Sequence, residues 1–454
     1  MDKYLSRSID QALLEWKDNP RRKPLLVRGA RQVGKSSTIR HLGKNFKYFL
    51  EVNVERNPEV MEFFKGSRDV KSIAAKLSDF FNVPVVPGET LLFLDEIQKS
   101  EDVIHSLWFF KEDYPELHVI AAGSLLEFAL KNLSSFGVGR VSSLFVYPMS
   151  FDEFLTATRQ EGLLRIKRNS SPTNPLPEAF YNRLVEAFRS YMLVGGMPEA
   201  VATYTETGSY RYSSDIVNEI IQGYQDDFAK YGAKANPLLL RQTLISVAHQ
   251  AGAKFVCSRV EGQYRSAEVK VALEMLKDAG LIIPTYHTDA NGVPLGAEIN
   301  ERVVKYLIHD TGVLLGILGI DDDIDERIKE MMVADSIDLV DKGHVAEMMA
   351  GLELIKYSSP QTRHQLYYWQ NMNKGTCAEV DYVIARSGSI VPIEVKSGVK
   401  GSMSSMYSLM RNPQKHIEMG IRCSLENFGT FASPDGKKID IIPLYAISNL
   451  FAEK

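Results

Sequence analysis

One stretch constrains this chain more than any other: Gly29-Ala30-Arg31-Gln32-Val33-Gly34-Lys35-Ser36 fits the pattern G-x-x-x-x-G-K-[ST] at every position. The pattern has a mechanical meaning only between a strand and a helix, and both are legible around it. Pro24-Leu25-Leu26-Val27-Arg28 reads as a short buried strand, and Ser37-Thr38-Ile39-Arg40-His41-Leu42 opens a helix. Glycines at 29 and 34 let the backbone curl so that successive N–H groups face one point, where the helix N-terminus adds the positive end of its dipole. Such a cradle suits phosphate oxygens. Residues 29 to 37 are therefore expected to hold the phosphates of ATP, with Lys35 reaching the β- and γ-phosphates and Ser36 holding Mg²⁺. A chance glycine-rich turn would explain the eight residues but not the strand and helix that flank them.

A second run completes the chemistry. Thr90-Leu91-Leu92-Phe93-Leu94-Asp95-Glu96 is unbroken apolar sequence ending in two acids. A parallel strand buried on both faces reads this way, and ligands of open α/β sheets sit beyond the carboxyl ends of the strands. Asp95 is thus placed to hold Mg²⁺ through water, and Glu96 to polarise the attacking water. The plainer reading, a helix cap after a core strand, weakens when the run follows a phosphate loop by roughly 60 residues. His118-Val119-Ile120-Ala121-Ala122-Gly123-Ser124 is another strand, whose last residue is either a sensor that touches the γ-phosphate or the water, or an N-cap for a helix from Leu125 to Lys131. Arg140, on the turn Gly137-Val138-Gly139-Arg140-Val141, is either an arginine finger, acting in cis or on a neighbouring subunit, or one half of a structural ion pair.

At 454 residues the chain exceeds one core, so two or three domains are expected. Lysine and arginine total 53 against 57 acids, a net charge of −4, which lacks the global signature of a nucleic-acid binder and leaves DNA or RNA contact to a local patch. Cys257, Cys377 and Cys423 form no C-x-x-C pair, which argues against a zinc site or a disulfide framework and for a reducing cytoplasm. No apolar run approaches the ~18 residues of a membrane helix, and Met1 to Arg7 lacks a signal-peptide core.

Along the rest of the chain, apolar spacing predicts a leading helix over 3–18, a strand at 48–54 and helix over 59–82. Residues 155–236 read as helices broken at Ser170-Ser171-Pro172-Thr173-Asn174-Pro175. Helices at 238–250 and 266–279, then strands at 280–286 and 297–300, follow the order of a winged helix. Its recognition helix would carry Lys270 and Lys277 but also Glu268, Glu274 and Asp278, and this mixed charge favours a protein or interdomain contact over DNA. Asp321 to Glu326 reads as an acidic linker.

Near the C-terminus, strands are predicted at 365–369, 378–384 and 391–396, after a helix from His344 to Lys356. Asp381, followed thirteen residues later by Glu394-x-Lys396, resembles the core of PD-(D/E)xK nucleases, with Glu347 on the preceding helix. The strand period of two puts Glu394 and Lys396 on one face, and Glu379 and Asp381 on one face of the neighbouring strand. Converging carboxylates bind Mg²⁺ and a nearby lysine can orient water for phosphodiester cleavage, so Glu347, Asp381, Glu394 and Lys396 are expected to meet in one pocket. The same residues could equally survive as buried ion pairs in a scaffold.

Taken together, the phosphate loop, Leu94-Asp95-Glu96-Ile97-Gln98, Ala122-Gly123-Ser124, Gly139-Arg140, Tyr147 to Phe154 and Val194 to Glu199 resemble the AAA-superfamily ATPases that carry a C-terminal DUF4143 domain. Ser37 departs from the threonine or leucine common there, without threatening nucleotide binding. The resemblance implies an α/β fold with a P-loop parallel sheet (1–155), a helical lid (156–236), a winged-helix middle (237–320) and a nuclease-like α/β end (321–454). The reading drawn from these features is an ATPase whose nucleotide cycle moves the C-terminal module, with nucleic acid as the expected eventual target and the winged helix as the place for a protein partner. An ATP-dependent endonuclease and a signalling or scaffold NTPase are the alternatives, and the oligomeric state stays open.

Overall fold

The computed structural model describes residues 4–132, 139–231, 236–319, 342–371, 378–398 and 401–451. The first layer runs α1 (Ile9–Asp18), β1 (Leu25–Arg28), α2 (Lys35–Gly43), β2 (Tyr48–Asn53), α3 (Met61–Phe64), α4 (Val70–Phe81), β3 (Thr90–Asp95), α5 (Glu101–Asp113), β4 (His118–Ala122), α6 (Leu126–Asn132) and β5 (Ser142–Phe145). Its five strands pair in parallel in the order β2-β3-β4-β1-β5. This is the α/β P-loop sheet expected from the sequence.

Every residue of β3 is buried, as an unbroken apolar run requires. Alternate residues feed opposite cores: Leu91 and Phe93 join the cluster that holds Val27 and Ile39, while Leu92 and Leu94 join Leu50, Val52 and Leu107 on the other face. Because β4 lies between β1 and β3, its end at Gly123-Ser124 falls between the phosphate loop and Glu96.

The structure departs from the predicted elements in places. The leading helix starts at Ile9, because residues 4–8 run across the loop helix, where Tyr4 stacks on His41 at 4.0 Å. The helix expected over 59–82 is interrupted between Phe64 and Val70, and Asp69 caps the second piece by accepting from Ser72 N–H at 3.0 Å. Strand β5, which begins Ser142-Ser143, gave no alternating signal in the sequence and is held by pairing with β1.

Helices α7 (Phe151–Ala157), α8 (Glu161–Arg168), α9 (Glu178–Val194), α10 (Pro198–Thr207) and α11 (Tyr210–Asp227) follow, with a break between α8 and α9 at the predicted loop. A capping box of Ser150 and Glu153 starts α7. Next come α12 (Pro237–His249), α13 (Ser266–Asp278), the antiparallel hairpin β6 (Ile282–Thr288) and β7 (Ile299–Ile308), and α14 (Thr311–Ile317). The acidic stretch Asp321 to Glu326 and Cys377 lie outside the described residues.

The C-terminal part contains α15 (Lys342–Lys356), β8 (Leu366–Gln370), β9 (Glu379–Val380), β10 (Tyr382–Arg386), β11 (Ser389–Val395), α16 (Ser404–Arg411), β12 (Met419–Ser424), β13 (Gly429–Ala432) and β14 (Lys438–Pro443). Strand β10 is antiparallel to β11, which is parallel to β12. Strand β6 also pairs in parallel with β8, Thr285 opposite Leu366, so the middle hairpin and the C-terminal part share one sheet. One buried cluster runs from Val27 through Leu276 to Met349 and Ile393, so the parts are packed together rather than strung on linkers.

Candidate functional site

The phosphate loop is held open from below. A Cβ on Gly29, whose φ is +146°, would lie 2.1 Å from the Val146 carbonyl oxygen, so only glycine fits. Val33 is fully buried and anchors the loop in the core rather than facing the cleft. Arg7 is buried under the curl: its Nη1 donates to Val33 O at 2.9 Å and its Nη2 to Tyr147 O at 2.7 Å, and its Nε lies 3.1 Å from Glu153 Oε1. Nothing in the spacing of the sequence distinguishes Arg7 from a surface arginine.

Lys35 is the buried cation of the loop, and its Nζ donates to Gly29 O at 3.0 Å and Ala30 O at 2.6 Å. Burial pulls its pKa down to about 8, against the opposing pull of Glu96 and Asp95. Ser36 Oγ donates to Asp95 Oδ2 at 3.3 Å, and Asn53 Nδ2 reaches the same oxygen at 3.4 Å. Burial, then the charge of Glu96, raises the Asp95 carboxyl above its ordinary value. A hydroxyl beside a carboxylate is a hard-oxygen donor set that suits Mg²⁺ completed by phosphate oxygens and water. Ser37 is exposed on the rim of the same cleft.

Glu96 adopts a left-handed backbone, φ 55° and ψ 39°. This turns its carboxylate along the sheet edge, where Oε2 accepts from Ser124 Oγ at 3.1 Å, Ser124 N–H at 3.4 Å and Gln98 Nε2. A Cβ on Gly123 would sit 2.0 Å from Gln98 Oε1, so the small residue at 123 makes room for the glutamine. The structure therefore brings Lys35, Ser36, Asp95, Glu96 and Ser124 around one cleft of about 790 Å³, closed on the far side by Pro198 and Thr203 of α10. Gln98, which the sequence motif contains but to which no role was given, holds Glu96 from outside the cleft lining; its place two residues after Glu96, beside a glycine after the next strand, was the available signal.

Arg140 does not line this cleft. Its guanidinium pairs with Glu112 at 2.8 Å and lies over the Trp108 ring at 4.2 Å, so within the chain it serves as a structural ion pair. Arg31 points outward to pair with Asp227. Its carbonyl is 3.1 Å from the Tyr224 hydroxyl, which in turn lies 3.2 Å from His309 Nε2 at the end of β7. His309 Nδ1 is 3.2 Å from Leu281 O. The phosphate loop is thus linked through buried polar groups to the base of the β6–β7 hairpin, where Leu281 and His309 flank the paired Ile282 and Ile308.

The C-terminal acids do converge. Asp381 Oδ2 accepts from Val395 N–H at 2.7 Å, just past Glu394 on β11. Burial first, then repulsion from Asp381, pushes Glu394 up to about 7, and burial raises Glu347 to about 8, with Asp381 and Glu379 opposing its ionisation. Two lysines sit among them: Lys396 Nζ is 2.7 Å from Glu394 Oε1, and Lys305 Nζ pairs with Glu347 at 2.9 Å and with Glu379. Lys305 comes from β7, outside the stretch that the nuclease-like pattern covers, and sequence reading missed it. Among the described residues, no group of three or more His, Cys, Asp or Glu is arranged to hold a metal ion.

Residues 21–155 match an AAA domain family, and residues 342–447 match DUF4143, a domain of unknown function. The chain carries an AAA domain and a C-terminal DUF4143 domain. Every residue of the phosphate-loop cleft between Arg31 and Ser124 falls inside the AAA match, and Glu347, Asp381, Glu394 and Lys396 fall inside the DUF4143 match. Residues 185–324 match a further domain of unknown function, DUF8612, which contains Tyr224, His309 and Lys305. No curated protein matches the chain. A solved structure, the Walker-type ATPase of Pyrococcus abyssi, matches at 17% identity with a TM-score of 0.43, over 69% of this chain and 96% of that one. No helix among the described residues is long and apolar enough to cross a membrane.

Proposed function

We propose that the protein binds ATP with Mg²⁺ in the phosphate-loop cleft and hydrolyses it. The observation that carries this reading is the Glu96 carboxylate, fixed by Ser124 and Gln98 at the mouth of a loop whose Lys35 and Ser36 are already grouped with Asp95 at the end of β3. Loop N–H groups and Lys35 would bind the β- and γ-phosphates, and for this Lys35 must leave the carbonyls of Gly29 and Ala30. Mg²⁺, held by Ser36 directly and Asp95 through water, would neutralise developing phosphate charge. Glu96 would accept hydrogen bonding from the attacking water, and Ser124 would hold that carboxylate in place. Mg²⁺-dependent phosphate release, measured with and without DNA and RNA, tests the proposal.

We further propose that the cycle is transmitted to the C-terminal module through the Arg31–Tyr224–His309 contacts. The partner is better read as protein than as nucleic acid. The C-terminal end of α13 is engaged by the ATPase core, Asp278 with Lys131 at 2.6 Å, and Lys277 O accepts from Arg363 Nη2 at 2.7 Å. What remains outward, Lys270 beside Glu274 and Val271, is a mixed surface. A scaffold role for the DUF4143 part is supported over nuclease activity by the lysine pairing of Glu347 and Glu394.

A further inference from the structure

The nuclease-like pattern of the C-terminal part implies a divalent metal between Glu347, Asp381 and Glu394, and the residues present do not fit one. A Mg²⁺ or Mn²⁺ ion needs about six oxygens near ~2.1 Å. Here Glu347 Oε1 faces an ammonium, Asp381 Oδ2 is held by a backbone N–H, and Glu394 Oε1 faces Lys396. Of the oxygens these contacts leave, Glu394 Oε2 is buried and without a partner among the described residues.

We propose that Lys305 is the resident cation of this cluster and that it excludes a divalent metal from it. Lys305 is not a surface side chain that happened to fold inward. Its side chain is 1% exposed, and its backbone is pinned on β7 opposite Thr285 and bridged to Lys254. Its Nζ lies 2.9 Å from Glu347 Oε1 and also pairs with Glu379 Oε1, so two acids share the one ammonium. The Tyr368 ring, 5.0 Å from Nζ, adds a cation–π contact. Four carboxyl groups, Glu347, Glu379, Asp381 and Glu394, are thereby met by two lysines, Lys305 on β7 and Lys396 just past β11. A divalent ion entering the same pocket would meet the Lys305 charge across a few ångströms of low-dielectric protein.

The test uses the full chain without nucleotide and Mn²⁺ as the probe, followed by calorimetric titration and thermal unfolding. Lys305→Met removes the ammonium and leaves Glu347 and Glu379 facing each other, so the variant should be destabilised without metal. It should bind Mn²⁺ at least ~10-fold more tightly than the wild type and regain unfolding temperature as Mn²⁺ rises. Adding Asp381→Asn should abolish the gain, which separates this site from Asp95, and Lys305→Arg should behave as the wild type. Lys305→Ala, which leaves room for water, serves as the second variant. Failure of both neutral variants to gain Mn²⁺ binding or Mn²⁺-dependent folding overturns the proposal. So does Asp381-dependent Mn²⁺ binding by the wild type.

Discussion

Ser124 Oγ lies 3.1 Å from Glu96 Oε2, joining the ends of two adjacent strands across 28 positions of sequence. The readings of Ser124 that the sequence left open put it on phosphate, on water or on a helix end, and none put it on Glu96. The contact makes it a positioning residue for the carboxylate. Ser124→Ala should therefore lower kcat by ~10-fold or more and change ATP affinity by less than ~3-fold, since the lost interaction acts on the step and not on binding. A variant whose loss is all in KM would place Ser124 on the nucleotide instead.

Lys35 is buried and ties two carbonyls of its own loop. Lys35→Ala thus removes a phosphate contact and an internal brace together. ATP binding should weaken by at least ~100-fold, two lost charge-assisted bonds at ~1.5–3 kcal/mol each. Unfolding temperature should drop by only a few degrees. Fluorescent-nucleotide titration beside a melting curve checks both, and near-normal affinity would remove the phosphate-loop assignment.

Tyr224 contributes one hydroxyl to the link between Arg31 O and His309. Tyr224→Phe keeps the ring and its packing, so stability should fall by about 1 kcal/mol, the value of a buried hydrogen bond. If the link positions the loop, ATP affinity should fall ~2- to 10-fold along with it. Unchanged affinity at the expected stability loss would show the contact to be structural only.

His118 faces two aromatic rings, Trp16 and Phe46, and its Nε2 lies 3.1 Å from Lys17 O while Nδ1 is buried without a partner among the described residues. Burial, then the Arg22 charge, pushes its pKa down to about 4. The unfolded chain takes up that proton near pH ~6.5, so the stability tied to neutral His118 is complete above that pH and is lost as pH falls toward 4. His118→Gln should flatten this slope relative to wild type in melting curves taken from pH 7 to 4.5. Parallel slopes would assign the acid sensitivity elsewhere.

The P-loop sheet was legible because its evidence is local: a loop pattern between strand and helix, and an apolar run ending in Asp95-Glu96. Strand β5 was not, because Ser142-Ser143 has no pattern of its own and pairs only because β1 offers an edge. The acids of the C-terminal cluster were legible from strand period, and their convergence follows from the Tyr382–Ile393 register. Their cation was not, since Lys305 reaches them only because β6 and β7 join β8 in one sheet, a pairing between segments that no spacing encodes. Arg7, Gln98 and Tyr224 escaped for the same reason: each matters through one tertiary contact.

The most direct test of the central claim is phosphate release from ATP by the wild type and by Glu96→Gln, measured with Mg²⁺ alongside nucleotide affinity. The account predicts Mg²⁺-dependent turnover in the wild type, unchanged ATP binding in the variant, and hydrolysis at least ~100-fold slower, the usual loss when a general base is removed. Wild-type turnover that survives intact in Glu96→Gln would contradict it.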